Sequence, residues 1–366
     1  MKINHSVPSF SNFLFLFPVL VFSFFWIYIS IIEMDSFNIT IFDYGVNYNL
    51  VWKEAFGIPA FSSSVGYLPY VDETKLISFV LVPYVRFFPG IYDLLIMQVI
   101  VIAIPSVILY FLTMKLTNRI TVSLGVEILW LLYYPNNALI DYPFHYQTIF
   151  PLFYILGFTL FYLRKFKLSL ISLFLASITS LLAPLILIFT IPTFYILKRK
   201  MEYHYDNVSR RAFYLFYFGI TAISISLILL NLYQGGINLF TGEPIPTASS
   251  AARLPLYSAL WNKFINVSGY SGFLYIIFMT FPLLFSIFLE YEFIFASFPA
   301  IVYYLVGYSG GGLRYFFLLN LVFLIILIKA CHLLDITNNF SLFIRPTMNT
   351  KEINTIGEIK TEYCIG

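Results

Sequence analysis

The sequence predicts an all-α, polytopic membrane protein of about ten transmembrane helices, with a long first outer loop bearing interfacial helices. Two observations predict it. Only 11% of the 366 residues are charged, against a hydrophobic share of 60%, whereas soluble domains carry roughly 25% charge. The apolar residues also fall into repeated runs near the ~20 residues a spanning helix needs. So few charges cannot cover a soluble protein of this size.

The first run, 12–32, has only Lys2 ahead of it and no small-residue cleavage site after it, so it reads as a span and not a signal peptide. A polar stretch follows from Glu33 to Lys75, then a 13-residue run, Leu76 to Phe88, that contains Pro83 and Arg86. That run is too short to cross and reads as interfacial or re-entrant. Further spans are expected at 91–114, 121–138, 146–163, 168–183, 184–197, 212–233, 273–289, 293–308 and 316–333. The pair meeting at Ala183-Pro184 reads either as two short helices or as one kinked helix. Residues 1–333 then form one transmembrane domain, followed by a mobile tail at 334–366.

Basic residues collect on cytoplasmic loops. Ten spans with the N-terminus inside divide the 21 Lys and Arg 15 to 6 in favour of the cytoplasm. One more crossing at 76–88 would invert every later loop. The expectation is a multi-pass protein of the cell membrane with both termini cytoplasmic. Its outer face would comprise 33–90, 139–145 and 234–272. No soluble catalytic domain remains, so chemistry must use membrane helices and outer loops. A net charge of +3 gives no support for a nucleic-acid partner. Cys331 and Cys364 are too far apart for a disulfide framework or metal cluster.

Three outer segments carry candidate chemistry. In Ile41-Phe42-Asp43-Tyr44-Gly45-Val46, a carboxylate flanked by aromatics can serve as a general base or metal ligand, or as an ordinary turn aspartate. In Asp141-Tyr142-Pro143-Phe144-His145-Tyr146, the imidazole can donate to a phosphate or relay a proton, or rest against Asp141. In Gly310-Gly311-Gly312-Leu313-Arg314-Tyr315, the guanidinium can grip a phosphate or snorkel to headgroups. Glu127, inside the third span, is costly there unless paired or facing a cavity. P-loop, H-E-x-x-H, G-x-S-x-G and dinucleotide motifs are missing, which argues against ATP-driven transport and most hydrolase schemes.

The order and spacing of Phe42-Asp43-Tyr44-Gly45, Trp52, Gly57, Val82-Pro83-Tyr84, Phe88-Pro89, Gln98, Tyr134-Pro135 and Phe144-His145-Tyr146 resembles a known pattern. It is similar to an uncharacterised predicted-membrane-protein family related to GT-C glycosyltransferases. The resemblance covers roughly residues 40–200, with Arg314-Tyr315 a looser match. It implies an outer active site in which an acidic residue of the first loop is central, and a sugar donor on a polyprenyl phosphate. Asp43 fits that position, as base or as ligand of a divalent metal. His145 and Arg314 would meet the phosphate, and Tyr44, Tyr142 and Tyr146 would line the sugar pocket. The chain departs from the family at Glu73-Thr74-Lys75, Gln147 and Leu182-Ala183-Pro184, each lacking an expected titratable group. Two other classes stand beside this one. One is a transporter or lipid-handling protein centred on Glu127, Asp93 and Gln98. The other is a catalytically inactive relative.

Overall fold

The computed structural model describes residues 14–37, 41–58 and 77–180, with scattered helical positions within 183–188, 215–226 and 323–327. Among these residues there are helices and no strand. Most of the expected spans from 184 onward, the 234–272 loop, the tail and Arg314 lie outside the described residues.

Helix α1 (Leu16–Asp35) is apolar on nearly every side and leaves Phe17, Phe24, Phe25 and Tyr28 exposed. Helix α4 (Asp93–Thr117) is the central element, packed against α1, α5 and α7. At 1.5 Å per residue these two helices are about 30 and 37 Å long. Both are long and apolar enough to cross a membrane.

The 76–88 run forms α3 (Ser78–Phe87), about 15 Å long, with Pro83 inside it. Its inner residues Leu81 and Val85 are buried, while Phe79 and Phe87 are exposed. It packs against α2 (Ile41–Ala55). Together they cover the first turns of α4 through a cluster that includes Leu50, Val51, Val85, Leu94 and Ile149.

The 121–138 run does not continue as one helix. α5 (Ile120–Leu132) ends at Tyr133, whose backbone is extended, and α6 (Tyr134–Asp141) begins beyond it with Pro135 in its first turn. Proline lacks the N–H that would continue the ladder but suits a helix start. Asn136 fills part of the gap: its Nδ2 donates to the carbonyl of Trp130 at 3.1 Å. The 146–163 run likewise divides into a 3-10 turn (Tyr146–Ile149) and α7 (Phe150–Tyr162).

α7 and α8 (Phe166–Ser177) form a tight hairpin. Gly157 allows the close approach, since a Cβ there would lie 2.7 Å from Leu173 Cγ. Ser169 donates to the Gly157 carbonyl at 2.6 Å. Small residues and hydroxyls at helix contacts are the usual device for packing in lipid.

Lys115 lies in the last turn of α4 and Arg119 in the turn to α5, and the α7–α8 turn holds Arg164 and Lys165. α7 packs beside α4, and the 3-10 turn ahead of it meets α4 as well. Both basic turns therefore lie at the end of the bundle away from α2, α3 and α6. Asn118 closes the first turn with φ of 52°, a conformation Asn tolerates better than most residues.

Candidate functional site

The segment around Asp43 is a helix. Tyr44, Asn47, Leu50, Val51 and Ala55 are buried along α2, a spacing of three to four that marks one helical face. Gly45 is exposed, and a side chain there would meet nothing within 4 Å. Asp43 stands in the first turn of this helix. It is one turn ahead of Asn47.

Three side-chain hydroxyls and amides fasten α2 to the bundle. Tyr44 donates to the Ile91 carbonyl at 2.5 Å. Asn47 Nδ2 donates to the Phe144 carbonyl at 3.0 Å and lies 3.0 Å from Nδ1 of His145. Tyr146 donates to the Asn47 carbonyl at 3.2 Å. Burial pushes the Tyr44 hydroxyl well above its ordinary range, with the nearby Tyr48 and Asp93 adding to it, so it works as a neutral donor.

The partner segment, 142–145, is irregular backbone leading into the 3-10 turn and is held from α4. Gln98 Nε2 reaches the carbonyls of Leu139, Ile140 and Tyr142 at 2.8–2.9 Å. These belong to the last turn of α6 and its exit, where helix carbonyls lose their own partners. Tyr142 meets the His145 ring edge-on at 4.9 Å. Thr148 Oγ1 donates to the His145 carbonyl at 2.6 Å. Asn47 and His145 are only 5% and 7% exposed.

Of the residues singled out by sequence, His145 and Tyr146 contact Asn47, Tyr142 flanks His145, and Tyr44 reaches the Ile91 carbonyl instead. Tyr44 and Tyr146 point their hydroxyls at main-chain carbonyls and so hold the helix in place. Asp43 shares α2 with Asn47. Arg314 lies outside the described residues.

Two residues were not singled out. Asn47 carried a signal in its spacing of three and four from Tyr44 and Asp43. Glu54 carried none beyond being an acidic residue of the expected first outer loop. It accepts from Ser78 Oγ at 3.1 Å, linking α2 to α3, while its Oε2 is buried without a hydrogen-bond partner among the described residues. Burial pushes its carboxyl up to about 7, partly offset by Ser78.

The groups assigned to transport are arranged differently. Gln98 is committed to the three carbonyls, and Asp93 accepts from the Gly90 N–H. Glu127 is fully buried in α5, and neither of its oxygens has a hydrogen-bond partner among the described residues. No protein-family model, curated protein or solved structure matches the chain.

Proposed function

We propose that the chain is a multi-pass, GT-C-like membrane glycosyltransferase that moves a sugar from a polyprenyl-phosphate donor to an acceptor on the extracytoplasmic face. The observation that carries this reading is the docking of α2, which bears Asp43, onto the His145 segment through Asn47. Asn47, one turn from Asp43, meets Phe144 and His145, 97 and 98 residues further along the chain, and this contact supports a site shared by the acidic and imidazole-bearing segments.

In this reading the acceptor hydroxyl attacks the anomeric carbon and its proton passes to the Asp43 carboxylate. The bond between that carbon and the phosphate oxygen breaks, and polyprenyl phosphate departs with the electron pair. His145 and Arg314 donate to the phosphate as its charge grows, the largest electrostatic contribution to such a step. Tyr142 forms the wall for the sugar, with Tyr44 and Tyr146 behind it. The lipid tail enters between helices at the level of α3, whose exposed Phe79 and Phe87 suit a membrane interface.

The topology proposed with it has ten spans, both termini cytoplasmic, one transmembrane domain over 1–333 and a tail at 334–366. Its supports are the 15-to-6 division of basic residues and the grouping of Lys115, Arg119, Arg164 and Lys165 at the end opposite α2.

The test compares wild type with Asp43→Asn, each reconstituted with labelled polyprenyl-phosphate sugars. Transfer is expected to fall by about a hundredfold or more, the usual contribution of a positioned base. Equal transfer by both would remove Asp43 from the chemistry. Glu127, buried without a described partner, favours one second reading, a transporter. Proteoliposome flux that depends on Glu127 and ignores Asp43 would establish it.

A further inference from the structure

Charge is divided along the bundle. The described residues include seven Lys or Arg and seven Asp or Glu. Six of the seven carboxyls lie toward the α2 end: Asp43 and Glu54 belong to α2, Asp93 opens α4, Asp35 accepts from Tyr92 at 2.6 Å, and Glu33 and Asp141 are close enough to repel. Five of the seven basic residues, Lys115, Arg119, Arg164, Lys165 and Lys167, lie at the opposite end, and all five are exposed. Lys115, Arg119, Lys165 and Lys167 have no ion pair among the described residues.

Folding alone does not favour this arrangement, because like charges gathered without acids repel one another. Helix dipoles do not account for it either. Each turn joins the C-terminus of one helix to the N-terminus of the next, where the two fields oppose. Lys167 stands in the first turn of α8, against the dipole. The cations therefore answer to an anion from outside the bundle.

The surface beside them identifies its class. Phe111 is exposed one turn before Lys115, Ile120 adjoins Arg119, Leu168 adjoins Lys167, and the exposed Ile171 lies one turn further on. A soluble acidic protein or a nucleic acid would match the charges and leave these apolar side chains unmatched. A lipid with a phosphate headgroup matches both, its charge at the turns and its acyl chains along the helices. α4, which carries Phe111 and Lys115, is one of the two helices long and apolar enough to cross a membrane.

We propose that the α4–α5 and α7–α8 turns form a docking surface for anionic phospholipid in the leaflet opposite the α2 end. Lys115, Arg119, Lys165 and Lys167 hold the headgroup phosphates, and Phe111, Ile120, Leu168 and Ile171 lie along the acyl chains. This surface is separate from the Asp43 end and does not depend on sugar transfer.

The test reconstitutes the full chain in phosphatidylcholine vesicles with trace spin-labelled phosphatidylglycerol or phosphatidylcholine. Electron paramagnetic resonance then measures how much of each label the protein immobilises. Wild type is expected to favour phosphatidylglycerol by about fivefold or more, the contribution of one basic residue at an anionic surface. Arg119→Gln and Lys165→Gln should each lower that preference by about twofold or more, and together bring it near parity. Arg86→Gln makes an equal change of charge at the α2 end and should leave the preference as in wild type. Excess inorganic phosphate, at ionic strength matched with chloride, should not displace the lipid.

Parity of the two lipids around wild type overturns the proposal, whether or not the variants fold. So does an equal loss in Arg86→Gln, which would make the preference a property of overall charge. Displacement by inorganic phosphate would make the turns a site for free anions and not for lipid. Neutralisation of the cations by the chain's own acidic residues, such as Glu352, Glu358 and Glu362, would leave wild type indifferent to lipid charge and refute the proposal in the same way.

Discussion

The Glu54–Ser78 contact predicts a specific pH dependence for the packing of α3 on α2. Glu54 is partly buried, and its carboxyl is pushed from 4.5 up to about 7 by loss of water. The neutral acid is therefore the form the folded pair prefers. Because the folded value exceeds the unfolded one, this stabilisation is fully present below pH 4.5 and is lost as pH rises through about 7. At 1.36 kcal/mol per unit the shift corresponds to a ceiling of about 3 kcal/mol. Residual solvent access screens the group and reduces this to about 1–2 kcal/mol. Amide hydrogen exchange over Ser78–Phe87 reads the change directly. After correction for intrinsic chemistry, exchange in wild type should be about 5–30 times faster at pH 8 than at pH 5. Glu54→Gln keeps an oxygen for the Ser78 hydroxyl and cannot ionise, so it should match wild type at pH 5 throughout. The reasoning fails if Glu54→Gln retains the pH dependence, or if wild type is better protected at pH 8.

Other perturbations have separate consequences. Gln98→Leu strips the donors from three carbonyls. It should lower stability by about 2–3 kcal/mol and expose residues 139–146 to protease. Gly157→Ala forces a Cβ to within 2.7 Å of Leu173, which should cost about 1–3 kcal/mol and depress the apparent melting temperature in detergent. An unchanged melting temperature would mean that α7 and α8 are not in close contact. Tyr44→Phe leaves the Ile91 carbonyl without that hydroxyl. A loss of about 1–2 kcal/mol is expected, with faster exchange along Ile41–Ala55 and no change along Phe166–Ser177.

The helical class was legible because it follows from composition, and α1 and α4 were legible because long apolar runs have few other uses. The break at Tyr133 was written in Pro135, but an apolar run extending across it made one span look continuous. α2 was harder. Phe-Asp-Tyr-Gly has the composition of a turn, and the helical spacing of Tyr44, Val51 and Ala55 is interrupted by Asn47, a polar residue at a core position. Its reason for being there is 97 and 98 residues away in the chain, at Phe144 and His145. No local pattern announces such a partner. The same holds for Gln98, whose acceptors are main-chain carbonyls 41 to 44 residues on and leave no mark in side-chain identity. Glu54 looked like any acidic loop residue because its burial is created by α3.

One group of buried polar side chains gathers at the α2 end of the bundle, and its place bears on the two functional readings. Tyr44, Asn47, Gln98, Asn136 and Thr148 all donate to main-chain carbonyls at the α2 end of the bundle. Pro143 lies in irregular backbone there, and Pro135 and Pro151 stand in the first turns of α6 and α7. Irregular backbone at membrane depth survives only where protein or a cavity satisfies it, so this end of the bundle is where a ligand pocket can be built. Glu127 belongs elsewhere. It lies at the level of Tyr110, twelve residues or about 18 Å along α4 from Gln98. At that separation the effects of substitutions should be independent. Glu127→Gln, which keeps the shape and removes the charge, should leave the proposed sugar transfer within about twofold of wild type, while Asp43→Asn lowers it by about a hundredfold or more. Transfer lost equally in both would mean that the carboxyl in the bundle and the one on α2 serve a single process, and a site confined to the α2 end of the bundle would no longer be tenable.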